Sequence, residues 1–332
     1  MEGGRRRSTA GRGPALVLVC LVAWSIAAPA IAADRYAVVV SGASGEQKYA
    51  ERYDEWRTRL VNLLADRYGF RRDRVFAFGE KATPRVQLAS RENVRRTLAA
   101  LAARTRAQDL LLIVLIGHGA FDGTTAKFNL VGPDLDAAEW AALLRPVSGR
   151  LVLVNSAGAS FPFLPALSRR DRVVITATDS RAARYDTVFA EYFVKAMEQA
   201  AAEIGPDGRV SIWDVFTAAS AGVKRYYEQR GLLPVEHALL DDAGDGFGKE
   251  ADQPGADPSF AQSVYLNADS EETGMDAATR ELSARRDDLM AQIERLKARK
   301  NSMPQADYEA QLERLLVELA KVSRQLRGKG SQ

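Results

Sequence analysis

Two apolar runs constrain this chain more than any other feature. Asp109–Gly123 reads DLLLIVLIGHGAFDG, and Arg150–Ser160 reads RLVLVNSAGAS. Each stops abruptly in small and polar residues. Leu110–Ile116 is uninterrupted apolar sequence with a charge before it and a glycine after it. Such a run predicts a strand buried on both faces, hence a central strand of a parallel sheet. In open α/β sheets the ligand crevice lies beyond the carboxyl ends of those strands. Gly117, His118 and Gly119 follow the first run, and Asn155, Ser156, Ala157 and Gly158 follow the second. Function is expected there.

Around these runs the pattern alternates. Tyr36–Val40 predicts a strand ending in Ser41-Gly42-Ala43-Ser44-Gly45. Glu51–Arg67 carries Trp56, Leu60, Leu63 and Leu64 at helical spacing. Val75–Phe78 predicts a second strand, and Asn93–Arg104 a helix with Val94, Leu98 and Leu101 on one face, capped by Ser90. After the central strand come a turn-rich loop, Ala120–Lys127, a helix near Ala137–Leu144 and the second buried strand. Arg172–Thr176 predicts a further strand, and Thr187–Ala202 and Ile212–Arg230 two long helices. Strands separated by helices imply an α/β domain with a mainly parallel sheet and right-handed crossovers. The SGASGE stretch lacks G-x-G-x-x-G spacing and the P-loop lysine, so no nucleotide site is expected.

Residues 1–32 read as a secretory signal peptide. Arg5, Arg6, Arg7 and Arg12 precede the apolar run Ala15–Ala28, and Ala30-Ile31-Ala32 offers a cleavage site before Ala33. The rival reading is an uncleaved membrane anchor. Export then implies a periplasmic or extracellular protein. Cys20, the single cysteine, falls in this segment, and Val19 before it does not suit a lipoprotein signal. A mature chain therefore has neither a disulfide nor a cysteine nucleophile. The chain holds 46 Lys+Arg and 43 Asp+Glu; the segment carries four Arg and one Glu, leaving 42 of each. That balance offers no electrostatic case for nucleic acid as a partner.

Pro254–Ser270, rich in Asp, Pro, Ser and Ala, predicts a linker, taken as 254–274. Beyond it Leu282, Leu289, Ile293 and Leu296 recur at seam spacing, with Arg286 as a polar exception. Ser302-Met303-Pro304 interrupts, and Tyr308, Leu312, Leu315, Leu319, Val322 and Leu326 then alternate gaps of four and three. This predicts an antiparallel coiled-coil hairpin over 275–328. Met290, Leu316 and Val317 fall beside the seam and call for a further surface, which the sheet domain, a foreign partner or a second hairpin could supply. Self-association through the hairpin is the expectation, with a foreign partner as the alternative.

In this order the residues resemble the legumain and caspase clan of cysteine peptidases. The likeness rests on GHGAFDG around His118, LVLVNSAGAS around Ser156, ITATDS before the Phe189–Phe193 helix and HALLDDAGDG from His237, and spans Arg35 to Gly248. It implies a caspase-like three-layer α/β/α domain over 33–253, with His118 and Ser156 at the positions of the family's base and nucleophile. Gly117, Gly119, Asn155, Gly158, Thr178 and Asp179 are the binding positions it implies, for a peptide or protein partner in the cleft.

The departure bears on function. Ser156 stands where the family has cysteine, and Ala157-Gly158-Ala159 replaces its small polar loop. A thiol is partly ionised at neutral pH and intrinsically nucleophilic, whereas a hydroxyl is neither. Serine needs a base in one tautomer and donors aimed at the oxyanion. The expectation is a degenerate peptidase homologue kept for binding; the alternative is a hydrolase using Ser156 and His118.

Other chemistries are weaker. Asn155-Ser156-Ala157-Gly158 partly matches the G-x-S-x-G elbow of α/β-hydrolases, with Asp186 or Asp214 and then His237 following in order. Val154 occupies the first glycine position, where a side chain would crowd the turn. Asp241-Asp242-Ala243-Gly244-Asp245-Gly246 lacks the acid or amide that an EF-type loop needs at Ala243, so a turn closed by Asx hydrogen bonds is expected. Two histidines and no mature cysteine leave no zinc set, and no metal or cofactor is expected.

Overall fold

Every side chain of β4 (Leu110–Ile116) is buried, as a strand covered on both faces requires. In this computed structural model, which describes residues 33–180, 186–202, 209–253, 260–267, 277–300 and 303–329, β4 pairs in parallel with β1 (Arg35–Ser41) and β8 (Arg150–Asn155). From β1 the sheet continues in parallel to β2 (Val75–Gly79) and β3 (Val86–Leu88). From β8 it continues in parallel to β9 (Arg172–Thr176), and β10 (Leu239–Asp241) closes that edge antiparallel. The order is β10-β9-β8-β4-β1-β2-β3. The chain builds outward from β1 in one direction, then returns to β4 and builds in the other. The reversal between β1 and β4 is a topological switch point, where the loops part and a crevice forms.

Helices cover both faces, so the expected α/β class holds. On one face α1 (Gln47–Asp66), α5 (Phe189–Ala202) and α6 (Ile212–Gln229) set Trp56, Leu60, Phe193 and Phe216 into a cluster with Val39, Leu112, Val114 and Val154. On the other, α2 (Arg91–Ala102), α3 (Ala137–Leu144) and α4 (Phe163–Leu167) set Leu98, Trp140 and Phe163 against Val38, Ile113 and Leu153. Neighbouring strand residues thus feed opposite cores, the period-two rule of a pleated strand. The Ser90 hydroxyl accepts the Asn93 N–H at 3.3 Å, capping α2 as expected.

Three stretches differ from the sequence reading. Within the expected loop Ala120–Lys127 the chain forms β5 (Gly119–Phe121) and β6 (Ala126–Phe128), joined by β7 (Leu135–Asp136) in a small antiparallel sheet. The Asp122 carboxylate tightens its turn by accepting the Thr124 and Thr125 N–H groups at 3.0 and 2.8 Å, and Phe128 and Leu135 are fully buried. The helix expected from Thr187 begins at Phe189.

Residues 260–267 are not a loose linker. They form α7 (Phe260–Ser263) and a short bridge to Ser211. Ala261, Val264 and Leu266 are buried, and backbone bonds join Ile212 N to Val264 O and Leu266 N to Val210 O. The polar composition of the wider stretch masked this local apolar pattern. Residues 254–259 and 268–274 lie outside the described residues, as does the expected signal peptide.

α8 (Ala277–Ala298) and α9 (Gln305–Lys329) form the expected hairpin. Leu289, Ile293, Leu296, Tyr308, Leu315, Val322 and Leu326 make its buried seam. The polar exception, Arg286, donates to the Tyr265 hydroxyl at 2.8 Å and packs over its ring, linking α8 to the segment after α7. Of the three side chains expected beside the seam, Met290 is buried, Leu316 packs partly against the seam, and Val317 is exposed. Among the described residues no helix is long and apolar enough to cross a membrane.

Candidate active site at the switch point

The carboxyl ends of β1, β4 and β8 converge on His118 and Ser156. Gly42 N–H donates to Ile116 O at 2.9 Å, drawing the first loop against the end of β4. Only glycine fits at position 42: a Cβ there would lie 2.2 Å from Asn129 O. Gly117 leaves β4 with φ of 152° and brings the chain to His118. At Gly119 a Cβ would meet Ala157 Cβ and Lys127 O at 3.1 Å each, so that glycine lets β5 pass close to the loop after β8.

His118 is enclosed by partners. Its Nδ1 stands 3.0 Å from Asp186 Oδ1. Its Nε2 stands 3.1 Å from Ser44 O and 3.2 Å from the Tyr53 hydroxyl. The ring also meets Tyr49 and Tyr53 edge-on, at centroid distances of 4.8 and 5.5 Å. Burial first, then the nearby Asp186 charge, pushes the Tyr53 hydroxyl well above its ordinary value, so it stays protonated. Asp186 also accepts a hydrogen bond from the Tyr49 hydroxyl, which pushes Tyr49 up. Each imidazole nitrogen therefore already faces a partner from α1, from the loop after β1 or from the entry to α5.

Ser156 is bonded to the backbone of β4. It is 2% exposed, and its Oγ donates to Leu115 O at 2.7 Å, beside its own N–H at 3.0 Å to the same oxygen. Among the described residues no hydrogen bond joins Ser156 to His118. The Ser156 carbonyl accepts from the Thr187 hydroxyl, which ties the loop to the start of α5. Asn155 is fully buried; its Oδ1 accepts Ala157 N–H at 3.1 Å, while its Nδ2 has no partner.

The other expected site residues separate into bracing and exposed groups. Thr178 is fully buried; it bonds Gly158 O at 2.7 Å and shares hydrogen bonds with Ser160. Its place is to hold the loop after β8. Asp179 is exposed at the loop surface. Gly117, Gly119, Asn155 and Gly158 do lie in the strand-end loops.

The hydrolase set drawn from Ser156, an acid and His237 is not assembled. Asp186 pairs with His118, Asp214 belongs to the capping box of α6, and His237 pairs with Glu250 at 3.2 Å. The Asp241 carboxylate closes its turn onto Ala243, Gly244 and Gly246 N–H groups at 3.0 to 3.1 Å, the Asx-type turn expected. Among the described residues no group of three His, Cys, Asp or Glu could hold a metal ion.

Sequence reasoning missed Tyr49, Tyr53 and Glu236. Tyr53 lies on the apolar stripe of α1 with Trp56 and Leu60, where spacing marks it as core. Glu236 is buried and accepts the Val188 and Phe189 N–H groups at the start of α5. No local motif announces either.

No protein-family model and no curated protein matches the chain. Among solved structures it is similar to the Drosophila initiator caspase Dronc, at 13% identity and a TM-score of 0.42, over 65% of this chain and 82% of that one. It is also similar to protein GSU0716 from Geobacter sulfurreducens, at 14% identity and a TM-score of 0.45, over 71% of this chain and 99% of that one.

Proposed function

We propose that this chain is an exported, legumain- or caspase-like peptidase homologue that has lost catalysis and binds a peptide segment at the switch-point crevice. One observation carries the reading. The Ser156 hydroxyl is committed to the Leu115 carbonyl while the His118 ring is committed to Asp186, Ser44 and Tyr53. A general base needs a lone pair within reach of the proton it takes, and here nucleophile and base point to different partners. The peptide part of the reading is supported by β5, an edge strand of the small sheet that starts directly after His118. Edge strands bind extended peptides through main-chain hydrogen bonds.

The test uses the chain from Ala33 onward and a serine-directed fluorophosphonate probe. No labelling at Ser156 is expected, and Ser156→Ala keeps both fold and partner binding. The outcome that sinks the proposal is labelling at Ser156 together with peptide hydrolysis that Ser156→Ala abolishes. The hydrolase alternative would then stand.

A further inference from the structure

The parallel strands β1, β2, β4, β8 and β9 all begin at one end of the sheet, opposite the switch-point crevice. The segments that lead into them read ADR (33–35), DRYGFRRDR (66–74), RTRAQD (104–109), RPVSGR (145–150) and SRRDR (168–172). Together they hold twelve arginines, no lysine and five acids, all aspartate. The chain as a whole carries a formal net charge of only +3, so the fold segregates its positive charge at this end. The turn after β10 reaches the same end with Asp241, Asp242 and Asp245, whose carboxylates accept N–H groups of that turn and of α7. Arginine still exceeds acid.

The excess is not spent on ion pairs. Asp66 meets Arg72, Asp73 meets Arg71, and Asp34 and Asp109 share Arg106, with Arg74 also on Asp34. Arg104, Arg145, Arg150, Arg169 and Arg170 are exposed. Among the described residues none of these five has a carboxylate within ion-pair distance. Arg172 is buried at the start of β9 and donates to Leu144 O at 2.6 Å and Leu167 O at 3.4 Å. Burial, then the Arg169 charge, lowers it to about 10, which leaves it protonated at neutral pH.

We infer that this arginine-rich end is a docking surface for an anionic phospholipid bilayer. Arginine without lysine suits phosphate, whose oxygens match the planar guanidinium fork. Two features favour a bilayer over a nucleic acid or an acidic protein. Ala33 leads into β1 here, so the apolar run Ala15–Ala28 attaches to the fold at this end. Phe247 is 77% exposed, and Gly246 before it packs against Pro165, next to the Ser168–Arg172 segment. An exposed aromatic beside cations suits the boundary between headgroups and acyl chains. Docked this way, the protein turns the His118 crevice away from the lipid and toward soluble partners.

The experiment is co-flotation of the chain from Ala33 onward, which holds both cores of the fold, with vesicles of equimolar phosphatidylglycerol and phosphatidylcholine. Binding is expected there, weaker by about tenfold or more on phosphatidylcholine alone and falling as salt is added. Arg145→Gln combined with Arg169→Gln and Arg170→Gln should weaken it by about tenfold or more. Arg104→Gln with Arg150→Gln draws charge from other loops and guards against misfolding of the first variant. Lys81→Gln with Arg85→Gln, beyond the carboxyl end of β2, removes charge elsewhere and should leave binding unchanged. No flotation, or equal flotation on both vesicles, overturns the inference. So does parent-like binding by both arginine variants when their circular dichroism matches the parent, or an equal loss in the Lys81 and Arg85 variant. Duplex DNA that displaces the vesicles at lower concentration would assign the surface to nucleic acid instead. The readout involves neither His118 nor Ser156, so its failure leaves the proposed loss of catalysis untouched.

Discussion

Glu236→Ala should unfasten α5 from the sheet domain. In the native fold its Oε1 accepts Val188 N–H and the Tyr227 hydroxyl, each at 2.8 Å, and its Oε2 accepts Val188 and Phe189 N–H at 3.0 and 3.2 Å. These are the first donors of α5, which no residue of the helix can satisfy. Leaving a buried donor unpaired costs ~1–3 kcal/mol, and losing a helix cap ~1 kcal/mol. Two backbone donors and one hydroxyl lose their acceptor, so about 3 kcal/mol is expected after water enters part of the gap. For a domain of this size that corresponds to a Tm lower by roughly 6–12 °C. Glu236→Gln keeps one acceptor oxygen and turns an NH₂ group toward a donor, so about half of that loss is expected. Circular dichroism melts of the three proteins measure it. A Glu236→Ala shift below about 2 °C would refute the assignment of α5 to this carboxylate.

Gly42→Ala places a Cβ 2.2 Å from Asn129 O, so a loss of ~2 kcal/mol or more in urea titration is expected. At Asp109, burial raises the carboxyl, but hydrogen bonds from Arg106 and from Asp34 N–H outweigh it and hold the group below its ordinary value. Its stabilisation is complete above the ordinary carboxylate range and is lost as pH falls through the lowered value, so Asp109→Asn should flatten the acid limb of a stability–pH curve below about pH 4. Intact-mass measurement of the exported protein should find a chain beginning at Ala33; one beginning at Met1 and held by the membrane would make residues 1–32 an anchor. The face of α9 around Leu312, Leu316 and the exposed Val317 is expected to support a weak dimer, seen by light scattering and removed by Val317→Lys. A monomer at tens of micromolar overturns that proposal.

Most of the fold was legible because the sheet is buried on both faces. Uninterrupted runs such as Leu110–Ile116 have few alternatives to a central strand, and their order forces parallel pairing through helical crossovers. What escaped was short or depended on distant partners. Strands β5 and β6 are three residues each and gain stability only by docking Phe128 onto the core. Residues 260–267 escaped because average composition hid Ala261, Val264 and Leu266, whose burial depends on the backbone of Val210 and Ile212.

The site was legible in position and not in contact. Strand ends place His118 and Ser156 on adjacent parallel strands, a matter of topology. Where their polar atoms point depends on Asp186, Tyr53 and Ser44, far away in sequence. On the proposed reading, in which Ser156 stands at a peptidase's cysteine position, its contact means more than an exchange of sulfur for oxygen. A hydroxyl in this buried position must find an acceptor, and Leu115 O supplies it at 2.7 Å. A thiol is a far weaker donor and carries no such requirement. On that reading, serine at this position both lacks an ionisable thiol and has its hydroxyl bonded to the backbone of β4. Ser156→Cys alone is then expected to show no peptide hydrolysis in a peptidase assay, because His118 remains held by Asp186 and by the loop after β1.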